Sequence, residues 1–447
     1  MQYGVGQGGF HAQQIRFSNL PQGVSIEPYR FVYDCGSDTG PLKPKQAKPL
    51  QWAIEHFAEN DEPASKNKIT VHSLYLSHFQ KDHIDGAKRL AELVDLKEIV
   101  IPHLTKDQLV HLLAQQIASG QLAELTTDTR AYLDLLERAT GEGPLLGNVP
   151  TTRVRPGGEP PGVDAGNEPP DRIQAAHGDL EQGAYSLDHD HSTNSSWQHK
   201  RSRHLRVVGN SRVTQATSTV WELRVWSYAQ DDLLTKAVQN ELNRLTFKGK
   251  PALPKTMTGL VDQNELAWAI KNRTKIQEAY ERALRSQKVS FAADHNVVSL
   301  CLHSGPANGT DLLWDRTWTI PNEHRIRHLL NGSPPAGGWV GTGDALLESG
   351  KVWLSFYSHF NQDGIDRSQQ WLTVLIPHHG SGSGGNFNSK LLEGPVCNAV
   401  FSAGAFNKYR HPARSVLDAV ADFGVTGVMV TEHSRPGFFE HLTYSIG

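Results

Sequence analysis

The sequence predicts a layered α/β or α+β protein. In residues 1 to 104, short β-type runs alternate with polar turns, and one run leads through a turn into a helical pattern and then another strand. This strand–turn–helix–strand order is typical of layered folds. With 447 residues, the chain is long enough for one large domain with insertions, or for two to three smaller domains.

The predicted elements follow in chain order. FHAQQIRF, YRFVYDCG and ITVHSLYLS predict strands, HIDGAKRLAELVDL predicts a helix, and KEIVIPH predicts a further strand. The later runs VVSLCLHSG, KVWLSFYS, WLTVLIPHHG and NAVFSAG predict strands, followed by a helix in SVLDAVADFG and a final strand in GVMVTEH. Five segments result: a first half of the core (1–104), a helical and then Pro/Gly/His-rich insertion (105–204), core strands (205–229), a helical insertion (230–290) and a second half (291–447).

The composition limits the function classes. Lysine and arginine (44) nearly balance aspartate and glutamate (47), for a net charge of −3, so the whole chain has no strong attraction to nucleic acid or to a membrane surface. No apolar window approaches about 18 residues and the start of the chain is no signal peptide, so we expect a cytoplasmic protein without a membrane span. The three separated cysteines, Cys35, Cys301 and Cys397, fit a reducing compartment. The 22 histidines are the unusual count, and they prompt a search for metal ligands.

Five stretches place polar residues or glycine directly after a predicted strand. They are YDCGS (33–37), LSHFQKDHIDG (76–86), WVGTGDALL (339–347), LIPHHGSGS (375–383) and FSAGAFNKYRHP (401–412). If the strands share a direction, their ends converge at one rim, where binding sites commonly lie.

The second stretch carries the densest set of metal-type side chains. His78, Gln80, Asp82, His83 and Asp85 lie in one predicted turn, capped by Asp82 and opening a helix at His83. Imidazole and carboxylate ligands suit Zn, Mn or Fe. The alternative reading is an ordinary polar helix cap, which explains Asp82 alone.

These motifs resemble a known family. HFQKDH is similar to the H-x-H-x-D-H signature of the metallo-β-lactamase fold, and GTGD and PHHGS resemble its later motifs. GVGQGG, YDCG, NVVSLCL, GTGD, HHGSGS and GAFNKYRHP together resemble the metallo-hydrolase domain of ComEC-type DNA-uptake proteins and their soluble relatives. The resemblance covers residues 1–104 and 205–447, and it implies an α+β fold, a four-layer αββα sandwich with large insertions.

The resemblance also implies a ligand set of one or two divalent metal ions, Zn or Mn. His78 would bind the first ion, Asp82 and His83 the second, Asp344 would bridge them, and His379, or alternatively His378, would complete the second site. Asp34 would orient the turn that carries His78, Asp82 and His83, which is called the ligand turn below. The residues facing the substrate would be Ser381, Ser383, Asn407 and His411, with Asn296 and Ser299 as a nearby polar pair, and Asp82, His411, Asn407 and Ser381 would carry catalysis.

The sequence departs from the family at one ligand. Gln80 stands where the signature has its second histidine, and an amide oxygen is a weaker ligand than imidazole. The first site is therefore poor in nitrogen, which suits Mn or Mg better than Zn or leaves that site empty. A metal-binding fold without catalysis is the corresponding alternative.

The implied function is metal-dependent hydrolysis through hydroxide formed from a metal-bound water, with phosphodiester bonds of DNA or RNA as the expected target. His411 would protonate the leaving oxygen, or would only cap a helix beside Pro412. Two rivals stay open: a lactonase or β-lactamase, and a partner-docking subunit that uses the insertions at 105–200 and 230–290.

Three features in or directly after the insertion at 105–204 are weaker candidates for binding. The basic cluster Lys200, Arg201, Arg203 and Arg206 would grip a nucleic-acid backbone, or is a solvated loop. Trp197 would stack on a base. The run DHDH at 188–191 would hold an extra metal, or is a flexible polar loop.

Overall fold

The computed structural model describes most of the chain outside the middle insertion. The described residues are 1–16, 28–39, 48–60, 68–124, 127–141, 143–156, 185–189, 202–210, 215–229, 232–247, 250–251, 263–288, 298–306, 314–319, 326–328, 337–361, 367–382, 385–434 and 436–444. All structural statements below refer to these residues.

One large sheet has nine strands. In spatial order they are β16 (Ile326–His328), β15 (Trp314–Thr319), β21 (Gly437–Tyr444), β1 (Gln2–Tyr3), β2 (Gly8–Ile15), β3 (Tyr29–Ser37), β5 (Ser73–Tyr75), β7 (Ile99–Pro102) and β8 (Thr151–Val154). Strands β3, β5, β7 and β8 are parallel, so their carboxyl ends lie at the same edge of the sheet.

A second large sheet has eight strands. In spatial order they are β20 (Thr426–Val430), β19 (Asn398–Ser402), β18 (Trp371–Leu375), β17 (Gly338–Gly341), β14 (Val298–Pro306), β11 (Gln215–Ala229), β10 (Ser202–Asn210) and β9 (Tyr185–His189). Strands β17 to β20 are parallel to one another. Two small ladders pair β4 (Thr70–Val71) with β6 (Asp95–Leu96), and β12 (Thr246–Phe247) with β13 (Lys250–Pro251).

The described helices are distributed along the whole chain. They are α1 (Pro49–Asn60), α2 (Lys81–Ile84), α3 (Ala87–Leu93), α4 (Lys106–Ser119), α5 (Thr127–Thr140), α6 (Asp232–Asn243), α7 (Gln263–Lys271), α8 (Arg273–Ser286), α9 (Gly350–Phe360) and α10 (Arg414–Asp422). Short 3-10 turns lie at Arg367–Gln370, Pro377–Gly380 and Ser389–Leu392. The chain is therefore a mixed α and β protein, consistent with the α+β class.

Three buried clusters hold these elements together. One contains side chains from both large sheets, including Phe31 and Tyr75 of the first sheet and Leu300, Trp339 and Val428 of the second. A second cluster joins the first sheet to α1, α3, α4, α6 and α8, and a third joins the second sheet to α9 and α10. Burial of apolar surface at about 25 cal/mol per Å² is the main stabilising contribution of such clusters.

The two predicted helical insertions form one group of helices. Helices α4, α6 and α8 pack against each other, although α4 and α6 are more than a hundred residues apart. His111 of α4 is fully buried between them, with Nδ1 3.1 Å from Oγ1 of Thr235 and Nε2 3.2 Å from Oη of Tyr280. A polar contact of this kind is favourable in a core because both ring nitrogens have partners.

KVWLSFYS is helical rather than the strand that its aromatic content predicted. It forms most of α9 because Trp353, Phe356 and Phe360 recur at helical spacing and are buried together on one face. The ring centroids of Phe356 and Phe360 are 4.9 Å apart. This packing outweighs the strand preference of aromatic residues, which depends strongly on context.

Three further predictions need correction. Helix α2 begins at Lys81, with Gln80 at its N-cap, and not at His83 with Asp82 as the cap. GVMVTEH is not the final strand, because β21 follows it and pairs with β1 and β15. The segment assigned to the 105–204 insertion contributes β8 to the first sheet, and β9 together with part of β10 to the second.

No helix in the described part of the chain has the length and apolar character needed to cross a membrane.

Candidate metal centre

The candidate site lies where the two large sheets end beside each other. The first sheet contributes the ends of β3 and β5, and the second contributes the ends of β17, β18 and β19. A small cavity opens there, lined by Gly8, Gly9, Asp34, His83, Gly343, Asp344, Leu375, Ile376, His378, His379 and Ser402. The four later stretches that follow strands in the sequence thus meet Asp34 at one edge, as expected for parallel strand ends.

Asp34 organises the turn that carries the first histidines. Its Oδ1 accepts a hydrogen bond from the backbone N–H of Ser77 (2.7 Å), and its Oδ2 accepts from Oγ of Ser77 (2.9 Å). The same Oδ2 lies 2.8 Å from Nδ1 of His83. Asp34 has φ +59°, a left-handed conformation that is uncommon for a residue other than glycine and is often found at functional sites.

Hydrogen bonds orient the rings of His78 and His83. Because the Ser77 hydroxyl donates to Asp34, it accepts from Nδ1 of His78, at 2.9 Å. His83 donates from Nδ1 to Asp34. Both rings therefore present Nε2 to the interior of the site, and neither Nε2 atom has a hydrogen-bond partner among the described residues. A second partner on Nδ1 is the usual arrangement for histidine ligands of metals.

Two consecutive histidines approach from the second sheet. His378 and His379 have left-handed φ angles of +48° and +56°, so the chain turns sharply after β18. His379 donates from Nδ1 to the carbonyl of Ser402 (2.6 Å), and Nδ1 of His378 lies 3.0 Å from Oδ1 of Asn386. The Asn386 amide donates to the Asp344 carbonyl, which leaves its Oδ1 free to accept from His378. These rings also direct Nε2 toward carboxylates.

Two carboxylates lie among the four Nε2 atoms. Oδ2 of Asp344 is 3.6 Å from Nε2 of His78 and 3.8 Å from Nε2 of His378, and Oδ1 is 3.9 Å from Nε2 of His83. Oδ2 of Asp82 is 3.2 Å from Nε2 of His379 and 3.7 Å from Nε2 of His83. All of these residues are buried except His378, which is slightly exposed.

Two sets of residues could each hold a metal ion. One consists of His78, His83 and Asp344, and the other of Asp82, His83 and His379. Within each set the ligand atoms lie within 4.8 Å of one another. A tetrahedral ion with bonds of 2.0 to 2.1 Å would separate its ligands by about 3.4 Å, so the observed spacing fits with small adjustments. His83 belongs to both sets, and one ring nitrogen coordinates one ion.

The pKa values in the cluster reflect three acidic groups around one histidine. Burial lowers the pKa of His83, but Asp34, Asp82 and Asp344 outweigh it and raise the pKa to about 10. Burial lowers the pKa of His78 to about 4, and the charge on His83 adds to that effect.

The pKa values of Asp82 and Asp344 are lowered, although burial alone would raise them. Burial raises the pKa of Asp82, but His83 and His379 lower it to about 2. The pKa of Asp344 falls below its usual range, because His378, His78 and His83 outweigh its burial. Both aspartates are therefore ionised and able to bind a cation at neutral pH.

The other predicted site residues have varied surroundings. Gln80 is buried at the N-cap of α2, where its carbonyl accepts from the His83 N–H. Ser381 is buried and donates its backbone N–H to the carbonyl of His378. Ser299 accepts from the Asp344 N–H at 3.1 Å. The ring of His411 lies 5.4 Å from that of His378, edge to face.

Asn407 has a structural contact where a substrate contact was predicted. Its Nδ2 donates to the carbonyls of Gly404 and His411, both at 2.8 Å, and its Oδ1 accepts from the His411 N–H, also at 2.8 Å. These three hydrogen bonds occupy the amide in holding its own loop. A direct role for Asn407 toward substrate stays a prediction.

Several predicted residues lie outside the description of the structure. Asn296, Ser383, Trp197, Lys200, Arg201 and residues 190 and 191 are outside the described residues, and for Asp188, His189, Arg203 and Arg206 only the strand is described.

Three residues of the site were not singled out from the sequence. Ser402 and Asn386 hold the rings of His379 and His378, and Tyr132 of α5 donates from its hydroxyl to the carbonyl of Phe79 in the ligand turn (2.5 Å). Ser402 lies in the predicted strand NAVFSAG and in one of the five polar or glycine-rich stretches, so its position carried a signal. Nothing in the sequence around Asn386 or Tyr132 indicated these contacts.

No protein-family model matches the chain, and no curated protein is significantly similar to it. The geometry shows that the chain contains buried groups of histidine and aspartate that could hold a metal ion.

Proposed function

We propose that the chain is a metal-dependent hydrolase of the metallo-β-lactamase fold that cleaves phosphodiester bonds in nucleic acid. The observation that carries this proposal is the shared orientation of four histidines. His78, His83, His378 and His379 each use Nδ1 for a hydrogen bond and direct Nε2 toward Asp82 or Asp344. A purely structural cluster has no reason to leave the buried Nε2 atoms of His78 and His83 without hydrogen-bond partners among the described residues.

The arrangement of sheets and helices supports the assignment to a four-layer αββα sandwich. Two sheets share one buried cluster, and helices cover the outer face of each sheet, which is the order of layers in a four-layer αββα sandwich. The ligand motifs follow strands β5, β17 and β18, in the chain order of the resembled family. We take these two features together as support for the metallo-β-lactamase-like assignment.

The bound group would be one or two divalent ions, Zn or Mn, held by His78, His83 and Asp344 or by Asp82, His83 and His379. Such an ion lowers the pKa of a water molecule and neutralises charge on the substrate. Asp34 and Ser402 fix the orientation of the histidine rings.

Positive charge beside the candidate metal centre favours a phosphodiester substrate over a lactam or lactone. Lys408 and Arg410 are exposed on the loop that precedes His411, and Lys81 is exposed beside Asp82. Cationic side chains attract the phosphates of nucleic acid without reading its sequence. His411 is the candidate to donate a proton to the leaving oxygen, because its ring contacts that of His378.

The test is a cleavage assay on labelled single-stranded DNA, duplex DNA and RNA, with added Mn or Zn. We expect metal-dependent products that Asp82→Ala and Asp344→Ala abolish. Asp95→Ala is the matched control, because Asp95 is an exposed carboxylate that forms a surface ion pair with Lys97. Turnover of nitrocefin or a lactone without cleavage of any nucleic acid would contradict the phosphodiester assignment.

A further inference from the structure

The loop from Gly404 to His411, here called the entrance loop, presents aromatic rings to solvent beside the candidate metal centre. Phe406 is 91% exposed, more than any other large hydrophobic residue whose exposure the structure describes, and Tyr409 is 45% exposed. Two exposed aromatic rings on one loop offer apolar faces on which a ligand with flat rings can stack.

Hydrogen bonds fix the shape of the entrance loop. The amide of Asn407 bridges Gly404 and His411 through three hydrogen bonds, and the Ala405 N–H donates to a carboxylate oxygen of Glu432 at 2.9 Å. Phe406 lies at the turn between these contacts. Its exposure is therefore a property of a defined loop conformation, and a ligand can stack on it without the cost of ordering the loop.

Tyr409 is connected to the centre through a series of ring contacts, whereas the ring of Phe406 lies 6.4 Å from that of His433. Tyr409 stacks on His411, with centroids 5.7 Å apart and an interplanar angle of 14°. His411 in turn contacts His378, whose Nε2 is 3.8 Å from Asp344. A group that stacks on Tyr409 therefore lies along the approach to the candidate metal ligands, and Phe406 is three residues away on the same loop.

Cationic groups alternate with these rings. Nζ of Lys408 lies 4.8 Å from the centroid of the Tyr409 ring, and Arg410 is the next exposed residue. Alternating aromatic and basic residues match the alternation of bases and phosphates in a nucleic-acid strand, since bases stack on rings and phosphates pair with cations. In a duplex the bases already stack on each other, and an aromatic ring finds no free base face.

We propose that the entrance loop binds single-stranded nucleic acid, with unpaired bases stacked on Phe406 and Tyr409. The inference rests on the proposed function and narrows it, because it names single strands as the substrate class and assigns specificity to two residues outside the metal ligands. A protein partner that covers Phe406 is the competing occupant.

The test is equilibrium binding by fluorescence anisotropy, using the full chain with Asp344→Asn so that no probe is cleaved. The probes are a labelled single-stranded 12-mer, its duplex, and a 12-mer of the same length made of abasic sites. We expect tight binding of the first probe and weaker binding of the other two. Phe406→Ala and Tyr409→Ala should each weaken binding of the first probe by about 5- to 100-fold and change abasic binding less than twofold.

Two control variants separate stacking from general effects. Phe406→Trp keeps an aromatic face and should retain binding. Phe423→Ala removes another exposed phenylalanine, in the turn after α10, and should leave all three binding constants unchanged.

The outcomes distinguish failure of the inference from failure of the proposed function. Unchanged single-strand binding in both alanine variants, or an equal loss for the abasic probe, overturns the inference. The proposed function survives that result if the metal-loaded chain still cleaves nucleic acid. Absence of binding to every probe also overturns the inference and points to a protein as the occupant, whereas absence of cleavage of any nucleic acid contradicts the proposed function.

Discussion

Oδ2 of Asp34 lies 2.8 Å from Nδ1 of His83, and the same carboxylate holds both the backbone N–H and the hydroxyl of Ser77. One side chain in the second half of β3 thus fixes the start of the ligand turn and a ring six residues further on. The hydrogen bond on Nδ1 leaves Nε2 of His83 directed toward Asp82 and Asp344. We therefore expect Asp34 to set the affinity of the proposed metal centre without coordinating an ion itself.

Replacing Asp34 tests that role. Asp34→Asn keeps the size of the side chain but removes the charge that orients and polarises His83. We expect metal affinity to fall by about 10- to 100-fold, as is usual for loss of a hydrogen-bond partner of a ligand. Competition against a chelator measures the affinity, and Asp95→Asn is the control. Equal affinity in the wild type and Asp34→Asn would show that His83 needs no such support.

Metal binding should release a proton from His83. The pKa of His83 is raised to about 10 in the metal-free fold, so the ring is protonated at pH 8 and an ion must displace that proton. Titration calorimetry in buffers of different ionisation enthalpy counts the protons released. We expect the wild type to release about one more proton per bound ion than His83→Gln, and an equal count in the two would exclude His83 as a ligand.

The raised pKa of His83 also makes the stability of the metal-free fold depend on pH. Because the folded pKa of His83 lies above its ordinary value of 6.5, the protonated ring stabilises the metal-free fold fully below about pH 6.5, and this contribution is lost as the pH rises through about 10. The melting temperature of metal-free protein should therefore fall between pH 7 and pH 10. His83→Gln should show a shallower fall over the same range, and an identical slope would contradict the shift.

Residue 36 must be glycine because the ligand turn approaches β3 closely at this point. A Cβ atom at this position would lie 2.4 Å from the backbone nitrogen of His83 and 2.5 Å from the carbonyl carbon of Asp82. We expect Gly36→Ala to displace the turn, lower the melting temperature and abolish metal binding. Gly350→Ala is the control, since no atom in the described part of the chain lies within 4 Å of its added Cβ, and the change should be neutral. Metal binding at wild-type affinity in Gly36→Ala would disprove the close packing.

Tyr132 connects the group of inserted helices to the ligand turn. Its hydroxyl donates to the carbonyl of Phe79 and lies 2.5 Å from Nε2 of Gln116. Tyr132→Phe should lower the free energy of unfolding by about 1 kcal/mol and also weaken metal binding. Tyr280→Phe is the matched control, because its hydroxyl contacts His111 in the same helices and its loss should reduce stability alone. Chemical denaturation and chelator competition, measured on both variants, separate the two effects.

The sequence predicted which side chains converge better than it predicted the contacts around them. His78, Asp82, His83, Asp344 and the pair at 378 and 379 each follow a strand, and strand ends of one direction meet at an edge, so their convergence was predictable. The sequence did not predict which of the paired histidines would face a carboxylate. Both do, because the two consecutive residues have left-handed φ angles.

The contacts that support the ligands depend on tertiary packing, which local patterns do not encode. Tyr132 is 53 residues from its partner Phe79 and lies in a helix whose pattern fits an ordinary amphipathic element. In the same way, the aromatic residues of α9 satisfied both a strand and a helix interpretation. Only burial of Trp353, Phe356 and Phe360 on one face decides between the two.

The central claim is that buried histidines and aspartates at the adjoining sheet edges hold a divalent ion. Crystals grown with Mn or Zn, and measured at the absorption edge of that metal, test it most directly. We expect an anomalous peak about 2.0 to 2.3 Å from Nε2 of His83, with an oxygen of Asp344 or Asp82 also in contact. A well-ordered crystal at saturating metal with no peak in this cluster, or with its peak elsewhere, would show that these side chains do not form a metal centre.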